Sequence, residues 1–382
     1  MRPLNPTIKS MGGSTYSSYA EQLLQRAGPT YPLHIGDTWL EPALGCRMQD
    51  LSVDANPGLH RYSGVVGRLS LRESIAQKVM ARTGYSTSRD EVLVTAGATG
   101  GLTALMGTLL QDGDEVLILA PFWPLIGGAV QAAGGVIKAV PAIGLGCTLD
   151  GLLSLLSTAC SDDTVAIYWN TPNNPTGLNI PRAWLDALVE FARRHDLWII
   201  SDEVYEDYVY EGEHVYTRPL APERTISAYS FSKAYGMAGN RVGYLVGPPE
   251  VISQTKKLTR LTVYSAPTAA QVAAERALEL ASEWVNTARQ TYAEVGRRAA
   301  ARLKVPAPQG STFLFLDIRD SLDSTGVDGF LRRAVQRGVL VAPGTAFGPY
   351  PTYIRVCFTS IEPTRVLEGI EILAELLGIP PV

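Results

Sequence analysis

The chain has 382 residues, of which 46% are hydrophobic and 18% charged, and its formal net charge is −4 at pH 7. This length exceeds that of one ordinary compact core, and the apolar content supports a large globular fold. We therefore expect two domains rather than a disordered chain or a repeat solenoid. An acidic chain without clustered cations is unsuited to nucleic acid or anionic membranes, so small molecules are the expected partners.

The cysteines and the N-terminus exclude further classes of protein. Cys46, Cys147, Cys160 and Cys357 are scattered without the spacing of a zinc site or a disulfide framework, so we expect free thiols and no metal. The N-terminal residues lack an apolar signal segment, and no stretch has the length needed to span a bilayer. The expected location is the cytoplasm.

Short apolar segments rich in β-formers alternate with helical patterns between about residues 70 and 260. This alternation is typical of an α/β fold with a mostly parallel sheet. The patterns predict strands at residues 92–95, 115–120, 164–170, 197–201, 226–230 and 242–246.

The pattern changes after Pro267. An Ala-rich helical stretch reaches to about Leu303 and is followed by strand-like segments at 312–317, 339–341 and 353–358 and by a helix near 362–377. We therefore predict a large domain over residues 51–285 and a smaller α+β domain over residues 286–382, with the Ala-rich helix bridging them. Residues 1–50 show no sheet of their own and are expected to pack on the smaller domain.

The segment 230–244 places a lysine directly after a predicted buried strand, in the order Ser-Phe-Ser-Lys-Ala-Tyr-Gly-Met-Ala-Gly-Asn-Arg-Val-Gly-Tyr. Glycines follow Lys233 closely, which suits backbone held near a ligand. A lysine in a partly desolvated pocket has its ammonium form disfavoured, so it can act as an imine-forming amine and as a general base. A surface lysine in a loop is the alternative interpretation.

This segment resembles the cofactor-lysine signature of the fold-type I, class I and II aminotransferases, S-x-S-K-x-x-G-x-x-x-x-R-x-G. Further segments match the same family in the expected order, so the resemblance extends from about residue 34 to about residue 360. It implies an enzyme that uses pyridoxal 5′-phosphate (PLP), with Lys233 bound to the cofactor as a Schiff base. It also implies a mostly parallel, seven-stranded sheet sandwiched by helices, with a second, smaller α+β domain.

Side chains near the ends of predicted strands supply the contacts that the resemblance implies for the cofactor ring. Asp202 follows a strongly apolar strand, where open α/β sheets place ligand groups, and would pair with the protonated pyridine nitrogen. Asn174 and Tyr205 would donate to the phenolic oxygen. Trp123 would stack on the ring, with Phe122 as the adjacent candidate. Helix capping, a turn or plain core packing are the alternative roles.

A glycine-rich junction between a predicted strand and a helix, Val-Thr-Ala-Gly-Ala-Thr-Gly-Gly-Leu at 94–102, suits an anion. Free backbone N–H groups and the positive end of the helix meet there, although such a turn alone is weak evidence. The resemblance makes it the phosphate site, with Arg241 adding a paired, charge-assisted contact. The residues assigned to the phosphate are Gly97, Ala98, Thr99, Ser230, Ser232 and Arg241.

Three residues are assigned by the resemblance to the substrate or to a second subunit. Arg355 matches the arginine that clamps the substrate's α-carboxylate, for which its planar fork is well shaped; a salt bridge is the alternative. Gly36 resembles the glycine that lets the backbone approach the substrate, beside Asn174. Tyr62 resembles the tyrosine that reaches the neighbour's phosphate, so a homodimer with shared active sites is implied; a surface turn is the alternative.

The side-chain preference of the substrate is poorly encoded. Family members selective for dicarboxylates carry an arginine three residues before a Tyr-Ser pair, and here Leu261 occupies that position before Tyr264, with Arg260 one position away. A strict preference for aspartate or glutamate is therefore not expected. Trp39 is a candidate for an apolar or aromatic wall.

The resemblance implies transfer of an amino group between an L-amino acid and a 2-oxo acid with ping-pong kinetics, and Lys233, Asp202 and Tyr205 are the expected catalytic residues. A PLP-dependent lyase or cyclase is the main alternative, because the residues that hold the cofactor are shared on this scaffold. A non-catalytic PLP-sensing module is disfavoured, since the sequence keeps the lysine and shows no basic helix-turn-helix extension.

Overall fold

The computed structural model describes residues 2, 4–11, 17–141 and 146–381. Its strands are β1 (Tyr31–Pro32), β2 (Val92–Thr95), β3 (Glu115–Ala120), β4 (Val136–Pro141), β5 (Thr164–Asn170), β6 (Trp198–Asp202), β7 (Thr225–Ser230), β8 (Gly243–Val246), β9 (Phe313–Asp317), β10 (Val339–Leu340), β11 (Ala342–Pro343) and β12 (Tyr353–Cys357). Its helices are α1 (Pro6–Ser10), α2 (Ser17–Gln25), α3 (Leu69–Thr83), α4 (Gly97–Leu109), α5 (Pro124–Ala132), α6 (Leu149–Ala159), α7 (Arg182–Arg194), α8 (Pro249–Thr262), α9 (Thr268–Leu280), α10 (Ser282–Leu303), α11 (Gly326–Gln336) and α12 (Pro363–Leu376).

The large sheet has seven strands in the order β2-β8-β7-β6-β5-β3-β4. Strand β8 runs antiparallel to both of its neighbours, and the other pairs in the sheet are parallel. The prediction of a mostly parallel, seven-stranded α/β sheet is confirmed. The carboxyl ends of β3, β5, β6 and β7 consequently meet at one edge of the sheet.

Both faces of this sheet are covered by helices, which explains why its central strands are continuous apolar runs. Successive residues of a strand face opposite sides, so Ile199 joins the apolar cluster that contains Leu152 of α6 and Leu188 of α7. Its neighbour Ile200 joins the cluster that contains Ile126 of α5 on the other side. Each central strand is thereby held from two directions.

Some elements were not predicted from the sequence. Strand β4 lies at the edge of the sheet beside β3, and only Val140 among its residues is buried, so it has no apolar run to detect. The strand predicted at 339–341 is the two-residue strand β10, and a further short strand, β11, follows it and pairs with a different partner. The two-residue strand β1 pairs in parallel with β10.

The prediction of one long Ala-rich helix from Pro267 to Leu303 is wrong, because the stretch is interrupted at Ala281. Helix α9 packs through Ala273 against the apolar cluster beside β2 and β8. Helix α10 instead packs through Tyr292 into a separate cluster with the C-terminal strands and helices. Trp284 and Val285 at the start of α10 still pack against the first cluster, but the buried residues further along α10 belong to the second. A break therefore allows the two helices to present different apolar faces.

The C-terminal part contains an antiparallel sheet in the order β11-β12-β9. Leu23 of α2 and Leu33 share its apolar cluster with Phe330 of α11 and Ile370 of α12, so the N-terminal segment contacts this part of the molecule. The division at residues 50 and 285 stays a prediction, and residues 1, 3, 12–16, 142–145 and 382 within those limits lie outside the described residues. Within the described ranges, no helix is both long and apolar enough to cross a membrane.

A buried ion-pair cluster connects α3 to the segment that follows β6. Lys78 Nζ lies 2.7 Å from Glu206 Oε1, and Arg82 Nη1 lies 3.2 Å from Glu206 Oε2. Asp207 contacts the same two cations. Although burial opposes the charge, Lys78 and Arg82 hold the pKa of Glu206 below its usual value. The cluster therefore fixes the chain segment just beyond the sheet edge.

We expect Lys78→Met to destabilise the protein by about 1–3 kcal/mol, because the buried Glu206 loses its hydrogen bond to Lys78 while Arg82 and Tyr216 still contact it. Urea unfolding followed by circular dichroism measures the change in unfolding free energy. The matched control is Arg182→Met, which removes an exposed pair with Asp186 on α7 and should cost less than about 0.5 kcal/mol. Equal losses in the two variants would contradict the role of the buried cluster.

Candidate active site

A cavity of about 280 Å³ opens where the parallel strands end. Ligand sites in open α/β sheets form at this edge, where loops leave the carboxyl ends of the strands. Most of the residues assigned to the site from the sequence line this cavity: Gly36, Ala98, Thr99, Trp123, Asn174, Asp202, Tyr205, Ser230, Ser232, Lys233, Arg241 and Arg355.

Asp202 is the last residue of β6 and is 3% exposed. Its carboxylate accepts a hydrogen bond from the Tyr168 hydroxyl at 2.7 Å. Burial raises the pKa of Asp202 to about 6, although the Tyr168 hydrogen bond works in the opposite direction. A buried carboxylate of this kind is stabilised by a cationic partner in the cavity.

Asn174 and Tyr205 lie side by side at the cavity wall. Asn174 Oδ1 accepts a hydrogen bond from Arg355 Nη1 at 3.0 Å, which leaves the Nδ2 group of the amide as its donor. Burial raises the pKa of Tyr205, while its hydrogen bond with Asn174 and the nearby Arg355 oppose that rise. Tyr205 consequently keeps its proton, and the wall presents two neutral donors next to each other.

Lys233 lies in the loop between β7 and β8, and its side chain reaches the cavity. Nζ donates a hydrogen bond to the backbone carbonyl of Gly36. Burial lowers the pKa of the Lys233 ammonium, and the cations Arg355 and Arg241 act in the same direction. The amine is therefore easier to deprotonate than an exposed lysine, as nucleophilic and general-base chemistry require.

The N-terminus of α4 meets Arg241 at one end of the cavity. Gly97 has a φ of +70°, and a Cβ at this position would overlap the Arg241 guanidinium. A Cβ on Gly243 would lie 2.5 Å from the Ala98 backbone nitrogen, so β8 also approaches the helix closely. Ser230 ends β7 nearby, and its Oγ accepts the Ser232 N–H at 3.0 Å. Backbone N–H groups, hydroxyls and a guanidinium brought together in this way are suited to an anion.

Of the two aromatic candidates that follow β3, Trp123 lines the cavity. It precedes α5 at the N-cap position and is half-buried. Phe122 is buried in the apolar cluster on the sheet face, and its backbone N–H donates to the Phe347 carbonyl at 3.0 Å. The ring available for stacking in the cavity is therefore that of Trp123.

Arg355 lies in β12 and is buried. Its Nη2 donates to the His34 carbonyl at 2.6 Å. The guanidinium carbon Cζ lies 4.1 Å from the centroid of the Phe313 ring and 4.6 Å from that of the Phe347 ring. A Cβ on Gly36 would lie 2.8 Å from the Phe313 ring, so this position requires glycine. The contacts fix a planar cation at the cavity wall, where it can meet a carboxylate.

Three of the residues singled out in the sequence lie away from the cavity. Tyr62 is 86% exposed, and its ring contacts that of Tyr264 at 5.0 Å. Trp39 is half-exposed and Arg260 is exposed at the end of α8, and neither lines the cavity of the described chain. Within a single chain these side chains contribute nothing to the site.

Sequence reasoning missed two polar residues of β5. Tyr168 contacts the Asp202 carboxylate, and the Asn170 amide donates to the Asp202 backbone carbonyl at 2.7 Å. The two residues are two positions apart in a strand, so they share a face. Their polarity within an otherwise apolar run was the available signal, yet a buried tyrosine reads as ordinary core.

The arrangement fits PLP group by group. A buried carboxylate suits the pyridine nitrogen, and two adjacent neutral donors suit the phenolic oxygen. The α4 terminus with Arg241 suits the phosphate, and a buried amine suits the aldehyde. No part of the described cavity places a group of the wrong charge at these positions.

Comparison with known proteins agrees with this chemistry. Residues 40–373 match the family described as "Aminotransferase class I and II". The chain is 33% identical over 334 residues to the aspartate/prephenate aminotransferase of Thermus thermophilus, covering 84% of each chain. It is 33% identical over 306 residues to an arginine–pyruvate transaminase of Pseudomonas aeruginosa, covering 76% of each. Both relatives are transaminases, so the lyase or cyclase alternative is not favoured.

The fold leads to the same family. The structure of Thermus thermophilus aspartate aminotransferase with maleate superimposes with a TM-score of 0.88 at 28% identity, over 98% of this chain and 100% of that one. The class I and II aminotransferases to which these relatives belong use PLP as their cofactor. The chain therefore belongs to the class I and II aminotransferase family and is a PLP-dependent enzyme that transfers amino groups.

Proposed function

We propose that the cavity is the place where this enzyme binds PLP and exchanges an amino group between an L-amino acid and a 2-oxo acid. The observation that carries the proposal is the convergence of Asp202, Lys233 and Arg355 on one cavity, from three separate segments of the chain. They supply a carboxylate for the ring, an amine for the aldehyde and a guanidinium for the substrate.

Bound PLP supplies an electron sink that stabilises negative charge at the substrate's α-carbon. Asp202 keeps the ring nitrogen protonated, and Asn174 and Tyr205 donate to the phenolic oxygen. Trp123 stacks on the ring and excludes water from one face. The phosphate is held by the backbone of Gly97, Ala98 and Thr99 together with Ser230, Ser232 and Arg241.

Lys233 has two roles in the proposal. Its amine would attach the resting cofactor covalently, and the incoming substrate amino group would displace Nζ from that bond. The freed Nζ amine would then take the proton from the substrate α-carbon and deliver it for the second half of the transfer. Arg355 orients the substrate by binding its α-carboxylate, with the Gly36 backbone and Asn174 alongside. Both substrates use the same contacts in turn, so ping-pong kinetics follow.

We further propose that the amino donor has an uncharged side chain. The charged residues that line the described cavity are Asp202, Lys233, Arg241 and Arg355, and each already has a role. The remaining wall includes the apolar residues Leu102, Leu125 and Phe347. A second carboxylate would therefore meet no further cation supplied by this chain to its own cavity.

A homodimer with shared sites and a cytoplasmic location complete the proposal. Tyr62 and its ring partner Tyr264 are exposed, as are the side chains of Leu261 and Val263, which lie close to Tyr264 in sequence. Such a grouping of apolar side chains suits contact with a second subunit. If that subunit is a copy of this chain, Tyr62 reaches the partner's phosphate. The four cysteines are free, as is usual in a reducing compartment.

Half-reaction spectroscopy tests the central proposal. Enzyme loaded with PLP is mixed with one L-amino acid at a time, without 2-oxo acid. The conversion of the PLP absorbance band to that of pyridoxamine 5′-phosphate is followed. We expect methionine or phenylalanine to change the spectrum faster than aspartate. Lys233→Ala should slow the change by about 10²–10⁴-fold, since the proton-transfer group is lost. Lys257→Ala, at an exposed lysine of α8, is the control, and unimpaired turnover in Lys233→Ala would refute the role of Lys233.

Arg355→Lys should raise KM for the amino donor by about 10- to 100-fold, because a lysine cannot form the paired hydrogen bonds of a guanidinium with a carboxylate. Steady-state kinetics with saturating 2-oxo acid measure the effect. Arg365→Lys, at an exposed arginine whose Nη2 donates to the Thr30 carbonyl, should leave KM unchanged. An equal KM in wild type and Arg355→Lys would show that the carboxylate binds elsewhere.

The dimer proposal predicts that Tyr62→Phe lowers the affinity for PLP about tenfold, through loss of one hydrogen bond to a charged phosphate. The ring contact with Tyr264 is retained in this variant. Equilibrium titration of the cofactor-free protein measures affinity, and analytical ultracentrifugation measures subunit number. Tyr264→Phe serves as the control. A monomer in solution, or undiminished affinity in Tyr62→Phe, would contradict the shared site.

A further inference from the structure

Tyr168 lies on β5, the strand beside β6, and its hydroxyl donates to Asp202 Oδ2 at 2.7 Å. Both side chains are buried, Tyr168 being 0% exposed and Asp202 3%. Burial raises the pKa of Tyr168 well above its usual value, so the phenol keeps its proton and always donates. One carboxylate oxygen of Asp202 is thereby held by a fixed hydrogen bond.

The second carboxylate oxygen faces a different environment. Among the described residues, Oδ1 accepts only the Val204 N–H, at 3.4 Å. Asn170, the residue of β5 in register with Asp202, donates to its backbone carbonyl rather than to its carboxylate. Ala228, in register on β7, carries no polar side chain. A carboxylate has about four acceptor positions, so Oδ1 retains capacity for a donor in the cavity.

Among the described side chains around Asp202, Tyr168 is the one that donates a hydrogen bond to its carboxylate. Glu203, the next residue, raises the pKa of Asp202 by its negative charge. Its carboxylate is itself directed to buried donors that include Ser201 and Tyr229. Tyr205 lies near enough for the Asp202 charge to affect its own pKa. Tyr168 is thus the side chain whose hydrogen bond favours the ionised form of Asp202.

We propose that Tyr168 is a positioning residue that fixes Asp202 Oδ2, presents Oδ1 to the ring nitrogen of PLP and keeps the carboxylate ionised. The inference rests on the proposed pairing of Asp202 with that nitrogen. A hydrogen bond to a charged, buried acceptor is among the stronger ones in proteins. Its removal leaves the carboxylate free to rotate and easier to protonate. Both effects weaken the contact with the ring nitrogen.

The test is equilibrium binding of pyridoxamine 5′-phosphate to cofactor-free protein from about pH 5 to about pH 8. This ligand carries an amine in place of the aldehyde, so it forms no covalent bond with Lys233 and reports the other contacts. Because Asp202 must be ionised, wild-type affinity should fall as the pH drops below about 6. In Tyr168→Phe the carboxylate binds its proton more tightly, so the fall should begin about one pH unit higher.

At neutral pH, Tyr168→Phe should bind the same ligand about tenfold more weakly than wild type. Tyr229→Phe is the matched control, because Tyr229 is buried on β7 and donates to Glu203 Oε2 at 3.2 Å. This variant removes a tyrosine hydroxyl that donates to the carboxylate of Glu203 instead of that of Asp202. We expect it to reduce stability while leaving the affinity and its pH dependence at wild-type values. Titration of the ligand phosphate is common to all variants and cancels in the comparison.

The possible outcomes distinguish a failure of the inference about Tyr168 from a failure of the proposed pairing of Asp202 with the ring nitrogen. Wild-type affinity and pH dependence in Tyr168→Phe would overturn the role of Tyr168, as would equal changes in Tyr168→Phe and Tyr229→Phe. Asp202→Asn tests the pairing beneath it. If Asp202→Asn binds weakly while Tyr168→Phe binds normally, only the inference about Tyr168 fails. If Asp202→Asn binds as well as wild type, the proposed role of Asp202 fails with it.

Discussion

The buried carboxylate of Asp202 is the group around which the site is arranged. A charge without water is costly unless hydrogen bonds and an opposite charge compensate it. The sheet supplies the hydrogen bond, because β5 and β6 run in parallel and bring the Tyr168 hydroxyl to the carboxylate. The opposite charge is left to a ligand, for which a protonated pyridine ring is well suited. Under the proposed function, this residue links the fold to the cofactor.

The cationic side chains of the cavity favour a ligand with negative charge, just as the Asp202 carboxylate favours one with positive charge. Lys233, Arg241 and Arg355 all line one small cavity, and the two arginines help to lower the pKa of the lysine. Like charges held together favour binding of anions, and the proposed ligands carry a phosphate and a carboxylate. The repulsion among these cations contributes to the lowered pKa of Lys233, although burial is the larger cause and Asp37 opposes it.

The carboxylate contact depends on parts of the chain that are far apart in sequence. Arg355 comes from β12, Gly36 from the N-terminal segment and Asn174 from the loop after β5. Direct hydrogen bonds join Arg355 to Asn174 and to the His34 carbonyl. Because the small antiparallel sheet and the large sheet both contribute, the geometry of the proposed substrate contact depends on how these two parts pack.

Residue patterns along the chain were sufficient to predict the central strands and most of the residues that surround the cavity. Continuous apolar runs predict buried strands, and the segments with Lys233, Asp202 and Asn174 carry polar groups where those strands end. Other features depend on how the elements pack together. The exposed edge strand β4 has no apolar run, and the break at Ala281 follows from packing against two separate cores. The role of Tyr168 depends on strand register, since its partner lies 34 residues away in sequence. Local patterns encode burial and turns, whereas contacts between neighbouring strands exist only once the sheet has formed.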